Sequence, residues 1–241
     1  MTLILQTALP DAQTGNPRLP GTLPCDTDDW LRVDEAYAAQ MAYRTELLAE
    51  KREAVLYENA DTRDVAGEVL EEALKVLPGI GFTVGEAEVT CPDGRVIPLD
   101  RDAPLQTLGH LVQEDICILE KQGDEHVMTS AVLCFPANWR LAEKINRPLT
   151  GIHDPVPEYD SNIAARVQRL FDGVQVGCPL WRFNKLPYVD PDLHQPYKRE
   201  ETDAMPYIRS ERQCILRMPV SRAVVFTIHS FVVDAARQTM S

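Results

Sequence analysis

The chain has 241 residues, 24 Lys+Arg against 37 Asp+Glu for a net charge of −13, and 44% hydrophobic residues. That is the composition of an ordinary globular protein long enough for one sizeable core, and its acidity excludes the basic stripe a nucleic-acid binder needs to neutralise phosphates. No apolar run approaches the roughly 18 residues of a membrane span, and Met1-Thr2-Leu3-Ile4-Leu5-Gln6 lacks a basic flank, so a cytoplasmic protein without a membrane anchor is expected.

Residues 1–28 hold four prolines and two glycines with little periodicity and predict an irregular N-terminal arm; 29–241 are expected to form a single domain. From about Val33 to Tyr57 the positions Tyr37, Met41, Leu48 and Val55 make a helical stripe opposite a charged face. A second helix is predicted from a cap at Asp61 or Thr62, with Val65, Val69, Ala73, Val76 and Leu77 inward, stopping at Leu77-Pro78-Gly79. After Phe82 the period shortens. Runs such as Glu86–Val89, Arg95–Leu99 and Asp115–Leu119 alternate with turn signals, and His126–Phe135 completes a hairpin across Gly123-Asp124. Arg212–Arg217 and Ala223–His229 pair across Met218–Arg222. Phe183–Ser210 reads as a long polar loop of the kind that lines a ligand cleft. The sum is an α+β fold: a mostly antiparallel sheet with helices on one side and a helical N-terminal section.

The six cysteines, Cys25, Cys91, Cys117, Cys134, Cys178 and Cys214, are scattered and include no C-x-x-C pair. Free thiols in a reducing compartment are expected, not a disulfide framework, a zinc ribbon or an iron–sulfur site. Nucleophile elbow, Walker loop and H-E-x-x-H pair are absent, and Gly79-Ile80-Gly81 reads as a helix stop and not a dinucleotide loop.

The stretch Lys144–Pro157 centres on His153, with Gly151 before it and Pro155 and Pro157 after it. Prolines fix φ and remove donors, so His153 is expected on a stiff, non-helical loop, just before a helix capped within Glu158–Asn162 and running to about Phe171. Two roles are open to it: a hydrogen-bonded structural histidine, or an axial ligand of a metal centre.

Taken together, Asn138-Trp139-Arg140, Lys144-Ile145, Ile152-His153-Asp154-Pro155-Val156-Pro157, Pro179-Leu180-Trp181-Arg182-Phe183-Asn184, Ile208–Pro219, Val225-Phe226-Thr227-Ile228 and, upstream, Leu108–Cys117 resemble in order the haem-dependent oxidative N-demethylase α-subunit family, over about residues 28–233. The resemblance implies a PAS-like fold holding haem b. It implies oxidation of a small methylated amine by O₂ to the demethylated amine and formaldehyde, with electrons from NADPH through a separate flavin and [2Fe–2S] reductase. It makes His153 the first choice for haem-iron axial ligand and His110 the runner-up; His110 otherwise reads as a helix-end histidine.

Strand alternation puts Arg209, Glu211 and Gln213 on one face and Ser210 and Arg212 on the other. Arg212 is the candidate donor to the oxygen being reduced, where negative charge builds, with Glu211 as partner for it or for a cationic amine. The alternative is an Arg–Glu ion pair fixing the strand. Arg182, Asn184 and Arg209 are candidates for cofactor contacts, while Trp139 and Trp181 read as core. Two positions depart from the family pattern: Lys185 after Asn184, where tryptophan is common, and His229 after Phe226-Thr227-Ile228, where arginine is common. Outside this family, the readings that compete are a non-catalytic haem-binding PAS-type sensor and a haem-free interaction protein.

Overall fold

The computed structural model describes residues 3–16, 21–153, 161–200 and 204–238, with backbone alone at His153, 161–164 and Gln238. The arm adds a two-residue strand, β1 (Leu23–Pro24), to the sheet and buries Ile4, Gln6, Leu9 and Gln13. The first predicted helix is interrupted. Helix α1 (Tyr37–Glu50) ends at Lys51, α2 (Arg52–Val55) adds one turn, and Leu56–Tyr57 become strand β2. The reason is pairing: Leu56 and Tyr57 align with Val132 and Ala131, and the Val55 carbonyl accepts from Leu133 N at 2.6 Å. A β-branched, apolar, aromatic run gains more from a sheet edge than from another helical turn.

Helix α3 (Arg63–Val76) follows a single turn at Ala60–Thr62 and buries Ala66, Val69, Leu70, Ala73 and Leu74. Val65 and Val76 therefore flank the buried stripe. A tight turn carries the chain past Pro78 and Gly79 to Gly81, whose φ of 99° suits a residue without a Cβ. β3 (Thr83–Val84), β4 (Glu88–Thr90) and β5 (Val96–Pro98) form a separate three-stranded sheet. Helix α4 (Pro104–Leu111) leads into the hairpin β6 (Asp115–Gln122) and β7 (Glu125–Val132), turning at Gly123, φ 61°.

Next come the short helices α5 (Leu141–Lys144) and α6 (Leu149–His153), then α7 (Ser161–Gly173). The chain returns as β8 (Leu180–Tyr188), β9 (Tyr207–Arg217) and β10 (Val224–Asp234), closing with one turn, α8 (Ala235–Gln238). The main sheet is antiparallel in the order β1-β8-β9-β10-β6-β7-β2. β8 corrects the sequence reading, which left Phe183–Tyr188 in a loop: nine residues of register with β9 override the weak local preference. Pro187 is tolerated because β1 reaches only Leu180 and Trp181, so β8 is an edge strand beyond them.

The helices are not gathered on one side. Cys214 and Leu216 of β9 share a core with Met41, Leu48, Val69 and Leu105 of α1, α3 and α4. Ile215, between them, packs with Leu141, Leu149 and Phe171 of α5–α7. Each face of the sheet is apolar enough to demand cover, at roughly 1.5–3 kcal/mol per large side chain buried, and the two helical groups divide the work.

Candidate functional site

The face under α5–α7 changes character along its length. At one end Cys117, Leu119, Met128, Ile215, Val224 and Ile228 pack with Leu149, Phe171 and Val174. At the other, β8 and β9 place Arg182 opposite Gln213 and Asn184 opposite Glu211, with Ser230 of β10 opposite Glu211 on its other side. Phe226 lies on a strand flanked on both sides yet is only half-buried, as are Leu180, Arg182, Asn184 and Ile152. The middle of this face is thus less deeply buried than its apolar end.

The polar end is one connected network. Arg182 Nη1 donates to Gln213 Oε1 at 2.8 Å, and Gln213 Nε2 donates to Glu211 Oε2 at 3.2 Å. Asn184 Nδ2 donates to that same carboxylate oxygen at 2.9 Å, while its Oδ1 accepts from the Glu211 amide at 3.0 Å. Glu211 Oε1 lies 3.2 Å from Arg209 Nη2, whose guanidinium also donates to the carbonyls of Leu193 and Phe135. Two donors, Arg182 Nε and Arg209 Nε, are buried without a partner. Burial pulls the Arg182 pKa down against the field of Glu211, the mark of a cation held out of water.

His153 was expected on a non-helical loop, but its backbone closes helix α6; its side chain, Pro155 and Pro157 lie outside the described residues. The approach to it is firmly placed. Asn146, at φ 59°, donates its N–H to the Met128 carbonyl at 2.7 Å, Met128 N donates to Arg147 O at 3.1 Å, and Lys144 Nζ donates to the Ile152 carbonyl. The segment is therefore laced to the edge of β7, with Leu149 and Ile152 facing the same apolar cluster as Ile215 and Phe226.

Arg182, Asn184, Arg209 and Glu211 come together on this face, whereas Arg212 lies on the opposite one. Its guanidinium meets Asp29 Oδ2 at 2.8 Å and stacks 5.2 Å from the centre of the Trp181 ring, so its anionic partner is Asp29 and not Glu211. His110 sits in the last turn of α4, on the Arg212 side of the sheet; burial and the charges of Arg95 and Arg44 lower its pKa.

Gln213 and Ser230 were missed as members of the network, although alternation with Glu211 was a usable signal for Gln213. On the far face, His229 is 1% exposed and bridges Glu114 Oε1 at 2.8 Å and Asp34 Oδ2 at 3.1 Å. The only hint in sequence was the polar run Gln113-Glu114-Asp115 between two apolar segments, which is buried throughout. Lys185, the other departure, donates to the Thr14 carbonyl and holds down the arm. Among the described residues no cluster of His, Cys, Asp and Glu suited to a bare metal ion occurs, and no helix is long and apolar enough to cross a membrane. The sequence model of the family described as "Haem-dependent oxidative N-demethylase, alpha subunit-like" matches residues 21–238 of this chain.

Proposed function

Since the chain belongs to the haem-dependent oxidative N-demethylase α-subunit-like family, we propose that it holds haem b between α6–α7 and strands β8–β10 and there demethylates a small amine. The reading is carried by one observation: an apolar floor that is only half-buried at Phe226 and Leu180 adjoins a connected network of two guanidiniums, two amides and a carboxylate. That donor set fits a flat apolar group bearing carboxylates. Arg182, with one buried N–H unpartnered, together with Asn184 and Arg209, would hold the carboxylates, and His153 would supply a nitrogen to the iron.

Haem, when bound, supplies O₂ binding and oxidising power. The chain's residues do the rest. Phe226, Leu180 and Ile152 exclude water, and Glu211 is a carboxylate held by an amide on each side, placed to receive the ammonium of an amine substrate. We assign Arg212 a positioning role: from the other face its ion pair with Asp29 and its stacking on Trp181 fix the registers of β8 and β9, and hence Glu211 and Arg182. A PAS-like classification is supported by the five-stranded antiparallel core β7-β6-β10-β9-β8, with α5–α7 inserted between its second and third strands in chain order. The single domain of 29–241, a separate flavin/[2Fe–2S] reductase and a cytoplasmic location complete the proposal.

The test is spectroscopic and chemical. Protein reconstituted with haem is expected to give a Soret band that moves when CO is added to the dithionite-reduced form, and His153→Ala is expected to abolish or rearrange it. With a supplied reductase, dimethylamine should yield formaldehyde. A haem-loaded protein that releases none would instead be a PAS-type sensor, and a sample that takes up no haem would overturn the reading altogether.

A further inference from the structure

On the other face of the sheet, two thiols share one guanidinium. Arg212 Nη1 donates to Cys214 Sγ at 2.8 Å, and its Nη2 reaches Cys25 Sγ at 3.3 Å and Asp29 Oδ2 at 2.8 Å. The two sulfurs thus flank the same guanidinium, one on each terminal nitrogen. Cys214 is buried in the middle of β9, whereas half-buried Cys25 sits just past the end of β1, its N–H held by the Pro179 carbonyl at 2.9 Å. A hollow of about 540 Å³ lined by Asp28, Asp29, Leu31, Arg32, Val33 and Ile80 opens beside it, and the Cys25 thiol itself reaches the Asp29 carbonyl at 3.5 Å.

We propose that Cys25 and Cys214 are a peroxide-reactive pair that closes into a reversible disulfide, with Cys25 as the attacking sulfur and Cys214 as the resolving one. This does not depend on the haem reading. The asymmetry follows from the surroundings. The hydrogen bond from Cys214, with the charge of Arg212, brings the Cys25 pKa down to about 7 against the opposing effect of burial, while giving that hydrogen bond and being buried push Cys214 up. Burial also pushes Cys134 up to about 12. In the first step the Cys25 thiolate attacks one oxygen of hydrogen peroxide; the O–O bond breaks, the sulfur becomes a sulfenic acid, and the departing hydroxide takes a proton to leave as water. In the second, the Cys214 sulfur attacks that sulfenic sulfur, giving up its proton as the S–O bond breaks and a second water leaves. Two thiols are oxidised by two electrons, and one peroxide is reduced to two waters. Both sulfurs are held by one guanidinium, a disulfide needs them about 2 Å apart, and the segment after β1 is not tied into a central strand, so Cys25 is the partner that moves. Arg212 keeps Asp29 and Trp181 when its thiolate partner is consumed.

The test uses the full chain at pH 7, exposed briefly to hydrogen peroxide, alkylated and mapped without reduction. A Cys25–Cys214 cross-linked peptide that dithiothreitol removes is expected. A half-ionised thiol gains in thiolate fraction but loses some intrinsic nucleophilicity, so Cys25 should be consumed about fivefold faster than solvent-exposed Cys178. Cys214→Ser should stop the reaction at a Cys25 sulfenic acid trapped by dimedone. Oxidation of Cys178 at the same rate as Cys25, or wild-type protein oxidised with no cross-linked peptide, would overturn the proposal; neither readout requires the variant to fold.

Discussion

At His229 a cation is built into the core. Burial opposes its charge, but Glu114 and Asp34 on either side outweigh that and raise its pKa to about 9 from 6.5. Asp34 is the mirror case: burial opposes ionisation, and the His229 hydrogen bond and charge bring it down from 3.8 to about 2. The folded imidazolium is favoured over the unfolded one, so its contribution is fully present below pH 6.5 and is lost as pH rises through 9; that of Asp34 is present above 3.8 and fades toward 2. The histidine's share is on the order of 3 kcal/mol. Urea midpoints of wild type and His229→Gln, compared from pH 6 to about 10, should therefore converge as pH rises; a constant separation would sink the assignment. Beyond the polar run at Gln113–Asp115 no sign of this cluster was legible in sequence, because Asp34, Glu114 and His229 come from three distant segments. Alternation did place Arg209, Glu211 and Gln213 on one face and Arg212 on the other, since strand geometry leaves no other choice.

Helix α4 shows what element packing adds. Its Gly109 faces β7 and α1 so closely that an added Cβ would stand 2.9 Å from Val132 Cγ2 and 3.0 Å from Leu48 Cδ1. The Leu48 methyl can swing aside, but the β-branched valine cannot. Gly109→Ala is expected to cost about 1–3 kcal/mol in chemical denaturation, even though alanine is the better helix former. The same helix end is clamped by Arg44 of α1, which donates to the carbonyls of Gly109, Gln113 and Glu114 and to Asp115 Oδ1 at 2.7 Å. Both ions are fully buried, so Arg44→Met, which leaves the Asp115 carboxylate without a cation and held only by the Cys134 and Phe135 amides, should cost about 3–5 kcal/mol by the same measurement. The β6–β7 hairpin was readable from its Gly-Asp turn. By contrast, α6 and β8 took their states from neighbours: α6 from the lacing of 146–148 to β7, and β8 from its long register with β9.

Across the whole molecule, the N-terminal arm is more than a surface appendage. Gln6 N donates to the Val232 carbonyl and Gln6 Oε1 accepts from the Val232 amide, both at 2.9 Å, while Gln6 Nε2 donates to Asp34 Oδ2 at 2.8 Å. Gln13 accepts from the Ser210 hydroxyl at 2.7 Å. The arm thus bonds to β9, to β10 and to the His229 cluster at once. Deleting residues 1–16 should strip the Val232 amide of its hydrogen-exchange protection and lower the Asp34–His229 contribution, while amides of the distant β6–β7 turn keep theirs.

Sequence by itself determined the class of the fold, the hairpins with glycine-marked turns, the helix α7 and the order of motifs that carries family membership, because each of these rests on local periodicity or on residues adjacent in the chain. Tertiary structure alone decided that helices cover both faces, that Arg212 answers Asp29 and a pair of thiols, and that a polar network adjoins a half-buried apolar floor. Those depend on which distant groups share a low-dielectric interior, where an unmatched charge or donor is costly enough to override any local preference.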